Sequence, residues 1–123
     1  MKALVVEDNR TDLKLMHSIL QMDGHEVMDA ASAEEAIRLL QENTPEVILI
    51  DLRLPHMDGL ALGRQLKHAP ATAGIPIIAI TACFEDYPKN EANAAGFSAY
   101  FVKPINTRTL ARDVAAIIHS HQN

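Results

Sequence analysis

The chain reads as an α/β protein, a doubly wound, five-stranded parallel sheet flanked by five helices. Three observations predict it. Short β-branched runs alternate with longer amphipathic stretches, strand then helix, five times over. The strongest runs, residues 3–6, 47–50 and 77–80, are apolar at every position, as strands covered on both faces require. Four of the five runs end on a charged or hydroxyl-bearing residue: Glu7-Asp8, Asp51, Thr81 and Lys103.

The elements follow in order. Residues 3–6 form the first strand. Leu13, Leu15, Met16, Ile19 and Leu20 give residues 11–22 near-helical spacing, with Asn9, Thr11 or Asp12 as the cap and Gly24 after the end. Glu26–Ala30 is a weaker strand. Ser32 followed three residues later by Glu35 resembles a capping box, and the helix it opens stops near Pro45. The strand at 47–50 runs into Asp51, and 52–58 is a loop. The third helix, 59–67, turns Leu60, Leu62, Gly63 and Leu66 toward the core. After a linker at 70–76, the strand at 77–80 ends at Thr81. The fourth helix is expected over 86–95, with Pro88 tolerable only in its first turn and Gly96 as its stop. Ala99–Val102 leads to Lys103, and the last helix covers 107–119. No repeat or second domain is apparent, so residues 1–123 are expected to form one unit.

Bulk properties narrow the function classes. At 123 residues and 48% apolar content the chain fills one globular domain. A net charge of −5 without a basic cluster argues against direct nucleic-acid binding and a polybasic membrane patch. No apolar run reaches membrane length. The single cysteine, Cys83, allows neither an intrachain disulfide nor a cysteine metal site, which fits a cytoplasmic setting.

The strand ends carry the chemistry. In open parallel sheets ligands bind beyond the carboxyl ends, at the point where strand order reverses. An order of 2-1-3-4-5 would set Glu7, Asp8 and Asp51 together beside Thr81 and Lys103. Three close carboxylates need a counter-charge. Hard oxygen ligands of this kind suit Mg2+, with Mn2+ as a substitute. Asp8 and Asp51 are the expected direct ligands, with Glu7 acting through water, and Lys103 adds a second positive charge. A carboxylate is also a nucleophile toward phosphorus. Phosphoryl transfer demands chiefly positioning and charge neutralisation. Asp51 would accept the group, and the Thr81 hydroxyl would donate to it.

Four segments resemble one family in order: Val-Val-Glu7-Asp8-Asn; Ile-Leu-Ile-Asp51-Leu-Arg-Leu-Pro-His-Met-Asp-Gly; Ile-Ile-Ala-Ile-Thr81-Ala; and Tyr100-Phe-Val-Lys103-Pro104. Over essentially its whole length the chain is similar to receiver domains of two-component response regulators, which have the flavodoxin-like fold. The resemblance implies that Asp51 is the phosphoacceptor, served by a sensor histidine kinase or a histidine phosphotransfer protein. It implies a metal ligand in the Arg53 backbone carbonyl, a switch pair in Thr81 and Tyr100, and a cis bond between Lys103 and Pro104. The side chains of Arg53 and Cys83 would shape water access to the acyl phosphate. Signalling would pass to a downstream protein target through the fourth helix, fifth strand and fifth helix. The domain would catalyse only its own phosphorylation and dephosphorylation, so it is not a conventional enzyme. Pro88 departs from the family's usual pattern. The Met1 start, and the chain's end soon after the last helix, favour a stand-alone regulator in a phosphorelay, cell-cycle or chemotaxis-type system.

Each residue alone has a blander reading: Glu7, Asp8 and Asp51 as caps, Thr81 and Tyr100 as structural, Lys103 as a surface charge. The agreement of strand ends favours function. His17, His25, His56, His68, His119 and His121 match no ligand spacing and are expected to be solvated or capping. Cys83 is expected to be inert. Three rivals remain. A phosphotransferase with an aspartyl nucleophile of the haloacid dehalogenase type usually carries a second acid two residues on, where this chain has Arg53. A flavin module would need a phosphate loop after the first strand. A pseudo-receiver acting only as a binding module would not need the intact acidic set.

Overall fold

The computed structural model describes residues 1–122. Its sheet is built of β1 (Lys2–Val6), β2 (Glu26–Ala30), β3 (Val47–Asp51), β4 (Ile77–Thr81) and β5 (Ala99–Val102), all parallel, in the order β2-β1-β3-β4-β5. Between and after them run α1 (Arg10–Met22), α2 (Ala33–Leu40), α3 (Gly59–His68), α4 (Lys89–Ala94) and α5 (Leu110–Gln122). The doubly wound α/β arrangement and the strand order are those the sequence predicts.

Side-chain alternation along the strands divides the core in two. Leu4, Val6, Ile48, Ile50, Ile77 and Ala79 face α2, α3 and α4, and meet Ala36, Leu62, Leu66 and Ala92. Ala3, Val5, Val47, Leu49, Ile78 and Ile80 face α1 and α5, and meet Met16, Leu20, Val114 and Ile118. β1, β3 and β4 are buried almost end to end, which is why they carry no polar alternation. The edge strand β2 is only half-covered, hence its weaker apolar pattern.

Capping explains most helix starts. Asn9 caps α1, its side chain accepting from the Asp12 N–H at 3.0 Å. Ser32 accepts from the Glu35 N–H at 3.2 Å, and Glu35 accepts in return from the Ala31 N–H. Asp58 caps α3 through the Ala61 N–H at 2.8 Å. Gly24 and Gly96 sit at φ +93° and +99°, the left-handed conformation that ends α1 and follows α4.

Four helix boundaries differ from expectation by three residues or more. α4 begins at Lys89 rather than 86. Pro88 occupies its N-cap with ψ 155°, and a proline disfavours helical geometry in the residue before it. α5 begins at Leu110 rather than 107, because Asn106 turns the chain first: its side chain accepts from the Arg108 N–H and its carbonyl from the Leu110 N–H. That helix also runs on to Gln122, past 119. α2 stops at Leu40, short of Pro45, where the Asn43 side-chain amide donates to the Leu39 carbonyl at 2.9 Å.

The histidines need one correction. His25 is neither solvated nor capping: it is 5% exposed at the start of β2, and its Nδ1 has no partner among the described residues. His17 faces Asp29 at 2.8 Å, and His68 Nδ1 lies 2.7 Å from the Arg64 carbonyl.

Candidate functional site

Strand alternation does more than sort the core. The Glu7 N–H continues the β1 ladder onto Ala30, and the Lys103 N–H continues the β5 ladder onto Thr81. Glu7, Asp51 and Lys103 therefore keep the parity of Val5, Leu49 and Phe101, and all three emerge on the α1/α5 face. Thr81 and Tyr100 keep the parity of Ala79 and emerge on the other.

On the α1 side Lys103 Nζ donates to Glu7 Oε1 at 2.5 Å, Asp12 Oδ2 at 2.9 Å and Asp51 Oδ2 at 3.0 Å. Asp51 Oδ1 accepts from the Arg53 N–H at 3.0 Å, and the Asn9 N–H donates to Glu7 Oε2 at 3.2 Å. Glu7 is wholly buried, Asp51 is 6% exposed and Asp8 is exposed. Carboxylate oxygens of Glu7, Asp8 and Asp51 all lie within 4.8 Å of one another. They adjoin a cleft of about 520 Å3 lined by Asp8, Asp12, Asp51, Arg53, Cys83 and Lys103.

Not every expected residue faces that cleft. Thr81 is fully buried, and its hydroxyl accepts from the Cys83 N–H at 2.9 Å, which ties off the turn after β4. Tyr100 packs against the α2/α3/α4 core and donates from its hydroxyl to the Tyr87 carbonyl at 2.6 Å. The Lys103–Pro104 bond is cis. Arg53 Nη1 reaches Cys83 Sγ at 3.1 Å, bridging the loops after β3 and β4 at the cleft mouth.

Asp12 is the residue sequence reasoning missed. From sequence it reads only as a cap, a role Asn9 fills. The missed signal is spacing: Asp12, Met16 and Leu20 recur every fourth residue, so the acid sits on α1's core-facing stripe.

Charge dominates the energetics. Glu7, Asp12 and Asp51 accept from one ammonium, and Asp8 lies beside Glu7 and Asp51. Burial, and then a hydrogen bond shared with Asp51, push Glu7 from 4.5 up to about 8, only partly opposed by Lys103. For Lys103 burial acts downward, but hydrogen bonds to Glu7, Asp12 and Asp51 outweigh it, so the lysine is held above its ordinary value. The cluster has too few positive charges, and its hard oxygen donors fit a divalent cation. Both Glu7 oxygens are already engaged, whereas Asp8 is exposed.

A pH dependence follows. Between pH 4.5 and 8 folded Glu7 keeps a proton that the unfolded chain has lost. The folded state then binds more protons, so metal-free stability falls as pH rises through that window and levels off above it. From pH 6.5 to 8 the loss is expected to be on the order of 2 kcal/mol. Urea denaturation in chelator measures it. Glu7→Gln should flatten the slope, and an equal slope in that variant would contradict the assignment.

Comparison with known proteins agrees with this geometry. The family model for the response regulator receiver domain matches residues 3–115. The chain is 27% identical to Protein PilH of Pseudomonas aeruginosa over 117 residues, covering 95% of this chain and 97% of that one. It is 34% identical to the polar-differentiation response regulator DivK of Brucella ovis over 103 residues, 84% of each. Among solved structures, a two-component response regulator from Clostridium difficile superposes with a TM-score of 0.91 at 25% identity, over 100% of this chain and 99% of that one. A CheY-like receiver domain protein from Methanospirillum hungatei gives 0.90 at 26%, over 98% and 95%. With the acids and the lysine gathered at the carboxyl ends of a sheet ordered 2-1-3-4-5, the chain belongs to the response regulator receiver domain family of two-component signalling.

Proposed function

We propose that the chain is a phosphoacceptor switch in which Asp51 takes a phosphoryl group from a sensor histidine kinase or a histidine phosphotransfer protein. The observation that carries this reading is the pairing of Asp51 with Lys103 at 3.0 Å beside the acid pair. An Asp51 oxygen attacks phosphorus, and the donor nitrogen departs with the bonding pair. Lys103 neutralises charge on the transferring group, and the Arg53 N–H steadies the second Asp51 oxygen. Asp8, Asp51 and the Arg53 carbonyl would hold Mg2+, with Glu7 reached through water, because both Glu7 oxygens are taken. Mn2+ can replace it. The ion would neutralise charge on the phosphoryl oxygens.

The switch runs through Thr81 and Tyr100. The phosphoryl group draws the Thr81 hydroxyl from the Cys83 N–H, and the loop carrying Tyr87 moves with it. Tyr100, held to the Tyr87 carbonyl, then shifts the α4-β5-α5 surface that a downstream protein target reads. The domain acts in the cytoplasm and turns over no free metabolite beyond forming and losing its own acyl phosphate. Incubation with acetyl phosphate and Mg2+ should add one phosphoryl group to the peptide containing Asp51, and chelator should prevent it. Label mapped to a histidine, or none at all, would refute the reading.

A further inference from the structure

Lys103 is saturated before any phosphoryl group arrives. An ammonium has three N–H donors, and Glu7, Asp12 and Asp51 accept all three at 2.5, 2.9 and 3.0 Å. A phosphoryl group on Asp51 presents several anionic oxygens to the same nitrogen, more than the single N–H now held by Asp51 Oδ2 can satisfy, so they compete for the others. Glu7 is fully buried, and its release would leave a buried polar group without that hydrogen-bond partner and with no water to replace it. Asp51 is the attachment point and stays beside the lysine. The Asp12 side chain is 32% exposed, in the first turn of α1 at the cleft edge. It can turn to water at little cost, as exposed ion pairs generally can.

We propose that Asp12 is a positioning residue, a displaceable placeholder that aims Lys103 at Asp51 and gives up its hydrogen bond to the incoming phosphoryl group. This rests on Asp51 being the phosphoacceptor. The carboxylate of Asp12 also lines the cleft that an anionic donor must enter, so it opposes donor binding by charge as well as by occupancy. With acetyl phosphate, an Asp51 oxygen forms the new bond to phosphorus, the bond from phosphorus to the acetyl oxygen breaks, and acetate leaves with the electron pair. Lys103 changes partner from Asp12 to a phosphoryl oxygen. It neither gains nor loses a proton.

The test is the initial rate of phosphorylation against acetyl phosphate concentration at saturating Mg2+, for wild type, Asp12→Asn, Asp12→Ser and Asp12→Glu. Asp12→Asn and Asp12→Ser should lower the half-saturating donor concentration by roughly three- to ten-fold, with a smaller change in the saturated rate. Asp12→Glu, which restores the charge, should return it toward wild type. A role confined to α1 stability would shift the denaturation midpoint and leave the donor dependence alone. Unchanged or raised half-saturation in both neutral variants overturns the proposal. If wild type takes up no label, the phosphoacceptor reading falls first and this inference with it.

Discussion

An Asp51→Asn chain is expected to fold and to take up no phosphoryl group. The amide is close to isosteric, and its oxygen still accepts from the Arg53 N–H where Asp51 Oδ1 does at 3.0 Å. What is lost is the nucleophile of the proposed reaction: the rate should fall by at least about a thousand-fold. Stability should barely suffer, because Lys103 keeps Glu7 and Asp12 as partners. Two of the influences that raise Glu7, the hydrogen bond and the charge of Asp51, disappear with the substitution. Glu7 then moves down toward an ordinary carboxylate, and the decline in metal-free stability between pH 6.5 and 8 becomes shallower than in wild type. Intact mass after acetyl phosphate treatment and urea denaturation at two pH values check both halves. Mg2+-dependent labelling retained by this variant would count against the assignment.

Gly59→Ala is expected to damage fold and site together. A Cβ at residue 59 would lie 2.4 Å from the Asp51 carbonyl oxygen and 2.5 Å from the Leu52 Cα. Both are backbone atoms at the end of a fully buried strand, so neither can rotate away. The Gly59 N–H also donates to the Leu52 carbonyl at 2.8 Å, which seats α3 against the end of β3. Relief requires α3 or the Asp51-Leu52 segment to move. The cost should be about 3 kcal/mol or more, at the upper end for overpacking. Because the segment that moves carries Asp51, phosphorylation should slow by more than about ten-fold even where the variant stays folded. Urea denaturation and the phosphorylation rate measure the two effects. Wild-type values for both would show that the backbone there yields freely.

The sequence reveals what repeats along the strands better than what depends on one contact. The strand-end placement of Glu7, Asp51, Thr81 and Lys103 was legible because each ends an apolar run, and a parallel sheet brings such ends to one side; that the Thr81 side chain turns to the opposite face from the other three was not. Asp12 was hidden by a reasonable local explanation. An acid in the first helical turn looks like a cap, and only its alignment with Met16 and Leu20 marks it as facing the sheet. Gly59 invited the same shortcut. Asp58-Gly59 reads as turn and cap chemistry, and Asp58 does cap α3, but nothing local reveals that the Asp51 carbonyl occupies the place of a side chain. The starts of α4 and α5 shifted by three residues because Pro88 and Asn106 act on the residues beside them. His25 lies near Gly24 in a polar stretch, and its burial comes from the fold around it.

The most direct test is a crystal structure with Mn2+ in place of Mg2+, the ion located by anomalous scattering. The account predicts one ion bound by Asp8, Asp51 and the Arg53 carbonyl, with Glu7 in reach through water and Lys103 still beside Asp51. An ion elsewhere on the surface, or a cleft in which Asp8 and Asp51 lie too far apart to share it, would contradict the account.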